Sequence, residues 1–295
     1  MEQPLISIIT NTLNRADLIH RCIESIQKQT YQNYEHIIVD GNSTDNTEEV
    51  VNSYNDPHIK YLKLDKSGPQ IQMRAGADVA TGKYVTFLDD DDEYLPTKLE
   101  KQVKLFETES DSVGVVYCWM SYYDYEKKDV VIRVHKTELK GFVGDITPEK
   151  PIVCGTPTMM FRRSVFEEFG GAFDDNIGFL MSDWEFLARV TQKYEVDYVP
   201  ESLVKVYVNH GHARLSTDFY KEKAKRGIIF HTHFLNIFKD VFDRFPRRAQ
   251  YHYQSLCVYY SKLNDREHAR FFLRKYLKTK PNLWNAIKVI IIVMR

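Results

Sequence analysis

Between residues 5 and 88 the chain alternates between two hydrophobic periods. LISIIT (5–10), YEHIIVD (34–40), IKYLKL (59–64) and KYVTFL (83–88) are short runs dense in β-branched and aromatic residues, each of strand length. Between the first two, Leu18, Ile19, Cys22, Ile23 and Ile26 recur at helical spacing, which predicts a βαβ unit. Asn14, with Asp17 three residues on, is placed to cap that helix, and Asp45 with Glu48 has capping-box spacing at the start of DNTEEVVNSY. Strands alternating with helices imply a doubly wound, mostly parallel α/β sheet, in which ligands bind beyond the carboxyl ends of the strands. Asp40 closes the second strand and Asp89 to Asp92 follow a later one, so both acidic features are expected to face one crevice.

From about residue 217 the pattern becomes helical and rich in Tyr and Phe, in FYKEKAKRGIIFHTHFLNIFKDVF, AQYHYQSLCVYYSKLN and DREHARFFLRKYLKTKPNLWNAIKVIIIVMR. Helix pairs of this kind have too few copies here to make a repeat. One reading is a small helical appendage. The other is that the basic and aromatic C-terminus, with Arg274, Lys275, Lys278, Lys280, Trp284 and VIIIVM, touches an anionic membrane.

A chain of 295 residues, 43% hydrophobic and 27% charged, can bury a sizeable core as one large domain or as a domain plus an appendage. Forty basic residues stand against 41 acidic ones, a net charge of −1, so no bulk field suggests a nucleic-acid partner and phosphate binding must be local. Cys22, Cys118, Cys154 and Cys257 are scattered without a CxxC pair, which fits a reducing compartment rather than a disulfide framework or a zinc site. MEQPLISIIT lacks the basic and apolar regions of a secretory signal, and VIIIVM (289–294) is well short of the roughly 20 residues that span a bilayer. A cytoplasmic protein is expected, at most peripheral at the inner face of the membrane.

FLDDDDEY (87–94) puts four like charges directly after a strand. Their repulsion raises carboxylate pKa values unless a cation sits among them. Asp89 and Asp91, two apart in an extended chain, share a side and offer hard oxygen ligands for Mg2+ or Mn2+ beside a nucleoside diphosphate. The competing reading is that Asp91, Asp92 and Glu93 complement the dipole of the helix PTKLEKQVKLF, whose Pro96 suits the first helical position. Asp89 and Asp90 lie too far ahead of that helix for the dipole to account for them.

ISIITNTLNRADLIHRCIESIQKQTYQNYEHIIVDGNSTDNTEEVV, followed by ATGKYVTFLDDDDEYLPTKLEKQ, resembles the nucleotide-binding half of the family 2 inverting glycosyltransferases, of bacterial polysaccharide and O-antigen type. The resemblance implies a GT-A fold over residues 1–216, with a nucleotide-binding half to about 110 and an acceptor-side half over 111–216, followed by a helical region over 217–295. It implies that Asp40 contacts the donor base, that Asp89, Asp90 and Asp91 form the DxD motif with Asp91 as the direct metal ligand and Asp90 facing the ribose, and that Thr12 and Arg15 lie near the nucleotide. Asp92 then serves the following helix or the acceptor. Where the family has an amide, this chain has Arg74, which can reach a phosphate.

An inverting transfer needs one base to deprotonate the acceptor hydroxyl. CGTPTMMFRRSVFEEFGGAFDDNIGFLMSDWEFLARV (154–190) resembles the family's acceptor-side segment, and Asp183 matches its base; from the residues alone, Asp183 equally suits the acidic first turn of a helix that Ser182 caps. Trp184 is a core aromatic or a sugar platform, and Glu185 with Arg189 has the spacing of a helix-face pair. In NHGHARLST the resemblance implies that His210, His212 or Arg214 meets the metal, the diphosphate or the acceptor. The expected activity is a Mn2+- or Mg2+-dependent transfer from a nucleotide-diphosphate sugar, UDP-linked, to a saccharide or lipid-linked acceptor. A nucleotidyltransferase and an inactive nucleotide-sugar-binding subunit are the alternatives.

Overall fold

The computed structural model describes residues 3–66, 68–127, 130–151, 155–170, 182–212 and 220–294. The first half alternates as the periods imply: β1 (Ile6–Thr12), α1 (Ile19–Gln27), β2 (Tyr34–Asp40), α2 (Thr47–Ser53), β3 (Ile59–Lys63), α3 (Pro69–Val79), β4 (Tyr84–Phe87), β5 (Glu93–Tyr94) and α4 (Lys98–Thr108). Then come β6 (Val113–Asp124), β7 (Val130–His135), α5 (Gly155–Thr158), β8 (Met160–Arg162), α6 (Arg163–Glu168), α7 (Ser182–Val190) and β9 (Glu195–Val208). The chain continues through α8 (Tyr220–Ile237), α9 (Lys239–Arg244), α10 (Gln250–Lys262), α11 (Arg266–Lys278) and α12 (Leu283–Met294).

The strands form one sheet in the order β3-β2-β1-β4-β8-β6-β9-β5, with β7 paired to β6. From β3 to β4 it is parallel; beyond β4 it is mixed, because β8 runs antiparallel to both β4 and β6 while β6 and β9 run parallel. Every residue of β2 is buried, as expected of a parallel strand covered on both faces. The α3 helix sits so close to the sheet that a Cβ at Gly76 would come within 2.6 Å of the Ile9 side chain.

Two local expectations are corrected. The α1 helix starts at Ile19 without a side-chain cap, because Asn14 is used elsewhere: at φ 53° its Oδ1 accepts from the Thr44 N–H at 2.8 Å, tying the loop after β1 to the loop after β2. Asp45 likewise accepts from both Thr47 N–H, at 3.0 Å, and Ala16 N–H, at 3.2 Å.

The chain divides into two compact units. The first, Met1–Val143, Ile152–Phe173 and Arg189–Gly211, contains the sheet. Its main core is built from Ile6, Ile8, Tyr84, Leu99, Phe106 and Val116 among others, and Cys22 and Cys118 are free and buried within it. The second, Gly144–Pro151, Asp174–Ala188 and His212–Arg295, has an aromatic core of Trp184, Phe230, Phe234, Phe238 and Phe242. There α8 and α10 meet where a Cβ at Gly227 would run into the Tyr259 ring. A second cluster, Cys257, Ala269, Tyr276, Val289 and Val293, joins α10, α11 and α12.

Burial holds His36, His231 and His252 uncharged. Burial pushes His36 down to about 3, His231 to about 2 and His252 to about 4; the last two share an Nδ1–Nδ1 hydrogen bond of 2.9 Å, and His252 Nε2 donates to the Pro148 carbonyl at 2.7 Å. In the unfolded chain each titrates near 6.5, so between that pH and its folded value the unfolded state binds more protons and stability is lost as the pH falls. The thermal midpoint is therefore expected to drop from pH 7 to pH 5, with a limiting slope of ~1.4 kcal/mol per pH unit for each histidine. In His252→Gln, whose amide can still donate to Pro148, the drop should be shallower; scanning fluorimetry across this range measures it.

Candidate active site

The acidic run occupies the carboxyl end of β4. The parallel register sets Ile9 of β1 beside Phe87 and Thr12 beside Asp40, so the ends of β1, β2 and β4 lie together as the crevice expectation required. Asp92 N–H donates to the Asp89 carbonyl at 3.1 Å, closing a tight turn, and β5 follows at once, its Glu93 paired with Lys205 of β9. Because β5 intervenes, α4 begins only at Lys98, and Pro96 lies ahead of it rather than at its first position. The run is thereby separated from the helix whose dipole was its competing explanation.

Within the turn the four carboxylates meet different surroundings. Asp89 is exposed, Asp91 half-buried, and Asp90 and Asp92 buried. Asp91 Oδ2 lies 3.0 Å from His210 Nε2 and 3.8 Å from Arg15 Nη1. Asp92 Oδ1 accepts from the Tyr207 N–H of β9 at 2.9 Å. Burial, reinforced by the charge of Asp91, pushes the Asp90 carboxyl up to about 8, while the Arg15 guanidinium and the Thr12 hydroxyl act the other way. Ligand oxygens of Asp89, Asp91 and Asp92 lie within 4.8 Å of one another. Such a set of hard oxygens fits a Mg2+ or Mn2+ ion. Asp92 joins Asp89 and Asp91 in that set, where helix or acceptor duty was expected of it.

The strand ends are fixed from below. Asp40 is fully buried, its Oδ1 accepting from Ser43 N–H at 2.7 Å and its Oδ2 from the Tyr61 hydroxyl. Gln72 of α3 donates from Nε2 to both the Thr12 and Val39 carbonyls, each at 2.9 Å, and so clamps β1 to β2 beside the crevice. The Arg15 N–H donates to Thr47 Oγ1 at 3.2 Å, holding its loop to the start of α2. Gln72 was not legible as a site residue, since an isolated glutamine on a helix carries no spacing signal.

The end of β9 supplies the remaining wall. Asn209 takes a left-handed φ of 64°, which asparagine tolerates, and its Nδ2 donates to Asp124 at 3.1 Å; the bend that follows carries His210, buried, to Asp91. The Arg21 guanidinium stacks 3.7 Å from the Tyr207 ring centre and 4.8 Å from that of Tyr125, and its Nε lies 3.2 Å from Glu93, which Lys205 also meets at 3.1 Å. Arg21, Glu93, Tyr125 and Lys205 line a cavity of about 420 Å3 together with Asp91, Asp17 and His20.

The other described candidates stand on other segments of the chain. Arg74 is exposed on α3, its Nη1 3.5 Å from the Gly170 carbonyl. Asp183 is half-buried in the first turn of α7, accepting the Trp184 N–H at 2.8 Å, and Ser182 beside it is buried. Trp184 is buried in the aromatic core, its Nε1 donating to the Thr147 carbonyl at 2.6 Å. Glu185 lies 3.5 Å from His233, and Arg189 donates to the Phe169 carbonyl at 2.8 Å. His212 is half-exposed, and Arg214 lies outside the described residues.

A parallel half with carboxylates gathered beyond its strand ends is the place where such sheets bind ligands, and the fold is of GT-A type. The chain belongs to glycosyl transferase family 2, whose model matches residues 7–170. An Escherichia coli relative, a UDP-Glc:alpha-D-GlcNAc-diphosphoundecaprenol beta-1,3-glucosyltransferase, is 26% identical over 261 residues, covering 88% of this chain and 93% of that one. Against curated glycosyltransferases of Rickettsia conorii and Rickettsia felis the match spans only 33% of the relative's length. The fold is similar to that of S. aureus TarS 1-349 in complex with UDP-GlcNAc, with a TM-score of 0.63 and 16% identity over 94% of this chain and 93% of the other. It is also similar to the Pyrobaculum calidifontis mannosyltransferase in complex with GDP-Man and Mn2+, with a TM-score of 0.59 and 18% identity over 98% of this chain and 79% of the other.

Asp92 can be tested for its bond to β9. Asp92→Ala leaves the buried Tyr207 N–H without its acceptor and is expected to lower stability by about 1–3 kcal/mol. Asp92→Asn keeps an acceptor oxygen in place and should retain most of the parental stability. Denaturant unfolding of the two variants beside the parent makes the comparison.

Proposed function

We propose that the protein is an inverting glycosyltransferase that moves a sugar from a nucleoside-diphosphate sugar, UDP-linked, to a hydroxyl of a saccharide or lipid-linked acceptor in cell-surface polysaccharide synthesis. The observation that carries this reading is the gathering of Asp40, Thr12 and Asp89 to Asp92 at the adjoining ends of β2, β1 and β4. Family membership and the E. coli relative's lipid-diphosphate acceptor support the reaction class and the acceptor class. A lipid-linked acceptor would place the protein at the inner face of a membrane, with its C-terminal helices as the peripheral contact.

In this mechanism Asp40 receives the donor base, Asp90 the ribose, and Arg15 and Arg74 the nucleotide and its phosphates. Asp89, Asp91 and Asp92, with His210 beside Asp91, would hold the divalent cation. When bound, that ion offsets the charge that develops on the leaving diphosphate. Asp183 takes the proton from the acceptor hydroxyl as it attacks the anomeric carbon from the face opposite the diphosphate. His212 and Arg214 follow β9 in sequence and serve the diphosphate or the acceptor. A nucleotidyltransferase would need a glycine-rich phosphate loop after β1, whereas this chain has NTLNRAD there.

The test incubates the purified protein with UDP-, GDP- and dTDP-sugars and a polyprenyl-diphosphate saccharide, with and without Mn2+, and measures nucleotide release. Release is expected from a UDP-sugar and to require the metal. Asp183→Asn should bind donor as the parent does and turn over about 10²–10⁴-fold more slowly, the range of a lost general base. Unchanged turnover in that variant would remove Asp183 from the mechanism, and donor binding without release in the parent would favour an inactive binding subunit.

A further inference from the structure

We propose that the outer face of α12, together with the cations of α11, is a surface that seats on an anionic lipid bilayer. Ten of the twelve α12 residues are apolar, the exceptions being Asn285 and Lys288. Ala286, Val289 and Val293 form one buried side, and Val289 and Val293 pack in the cluster with Cys257, Ala269 and Tyr276. At 100° per residue, Leu283, Ile287, Ile290, Ile291 and Met294 fall within about 120° of arc on a different side. That second side is exposed, with Leu283 at 77%, Ile287 at 39%, Ile291 at 45% and Met294 at 64%. Trp284 stands at its edge, 66% exposed, with the Lys288 ammonium 5.2 Å from the ring centre.

Charge selects the occupant. From Arg266 to Met294 the chain carries seven Lys and Arg, all exposed, against the single acidic residue Glu267. Two copies of such a surface would repel, whereas anionic headgroups complement it. Among the described residues no helix is long and apolar enough to cross a membrane, and α12, about 18 Å long, suits a position in the plane of the interface, with its apolar side down and its cations at headgroup level. The inference rests on the proposed function only for its setting; the surface itself is read from exposure and charge.

The experiment sediments the full chain with phosphatidylcholine vesicles and with vesicles containing phosphatidylglycerol, free of donor and acceptor, so that lipid binding is read apart from sugar transfer. Binding is expected to the anionic vesicles alone and to weaken with salt. Ile287→Asp with Ile291→Asp, and separately Arg274→Glu with Lys278→Glu, should each weaken it about tenfold or more, at unchanged thermal midpoints that show the fold intact. Equal binding to both vesicle types, or parental binding by both double variants, would overturn the proposal. So would a dimer in light scattering that Ile287→Asp with Ile291→Asp splits while no vesicle is bound.

Discussion

Four consecutive carboxylates can share one strand end only if each is answered by a different partner, and the elements around β4 are arranged to do this. Asp92 turns inward to the Tyr207 N–H, Asp91 meets His210 and Arg15, Asp90 sits against the Thr12 hydroxyl, and Asp89 faces solvent. Without these answers the mutual repulsion, strengthened where water is excluded, would open the turn. Burial, with the charge of Asp91 added, pushes the Asp90 carboxyl up to about 8, so that it keeps its proton near neutral pH. The electrostatic basis of a cation site lies in Asp89, Asp91 and Asp92, whose mutual repulsion a divalent ion would relieve.

The same constraint explains why β9 is long and why it ends where it does. Its fourteen residues run beside β6 and reach the acidic turn from the far side of the sheet, delivering a backbone donor at Tyr207 and an imidazole at His210. Glu93, next in the run, binds this corner by accepting from the Tyr207 hydroxyl at 3.1 Å while pairing with Arg21 and Lys205. Beneath it lies Lys98, fully buried, its Nζ donating to Thr86 at 3.1 Å and resting 3.9 Å from the Tyr94 ring centre; burial pushes its amine down to about 7. Such a lysine costs stability while it stays charged, so its retention under β4 and β5 is a structural cost located directly behind the acidic turn.

What was legible in the sequence follows from how local each signal is. The βαβ alternation, the strand-end placement of Asp40 and the acidic run depend on residues close together in the chain, and all were readable. The bond from Asp92 to β9 was not legible because its partner, Tyr207, is 115 positions away and the contact is to a backbone N–H that no residue type announces. Gln72 was invisible for the same reason, since both of its acceptors are main-chain carbonyls of other elements. Asn14 shows the opposite failure: its spacing suits a helix cap, but a tertiary bond to Thr44 outcompeted the local one. The parallel half of the sheet was evident from buried runs between helices, whereas β5, two residues long, carries no period to read.

Apolar density alone does not decide burial, and β2 and α12 mark the two outcomes. In β2 the run YEHIIVD is buried at every position, because parallel strands come with helices on both faces. In α12 the run VIIIVM is denser in aliphatic residues, yet only Val289 and Val293 of it are buried, since α10 and α11 cover one side and no described element covers the other. A strand in a wound sheet inherits its covering from the topology, while a helix at the margin of a small bundle receives only what its neighbours can reach. Sequence therefore left VIIIVM between core and surface, and the structure divides it residue by residue: Val289 and Val293 belong to the helical core, while Ile290, Ile291, Ile292 and Met294 meet the surroundings.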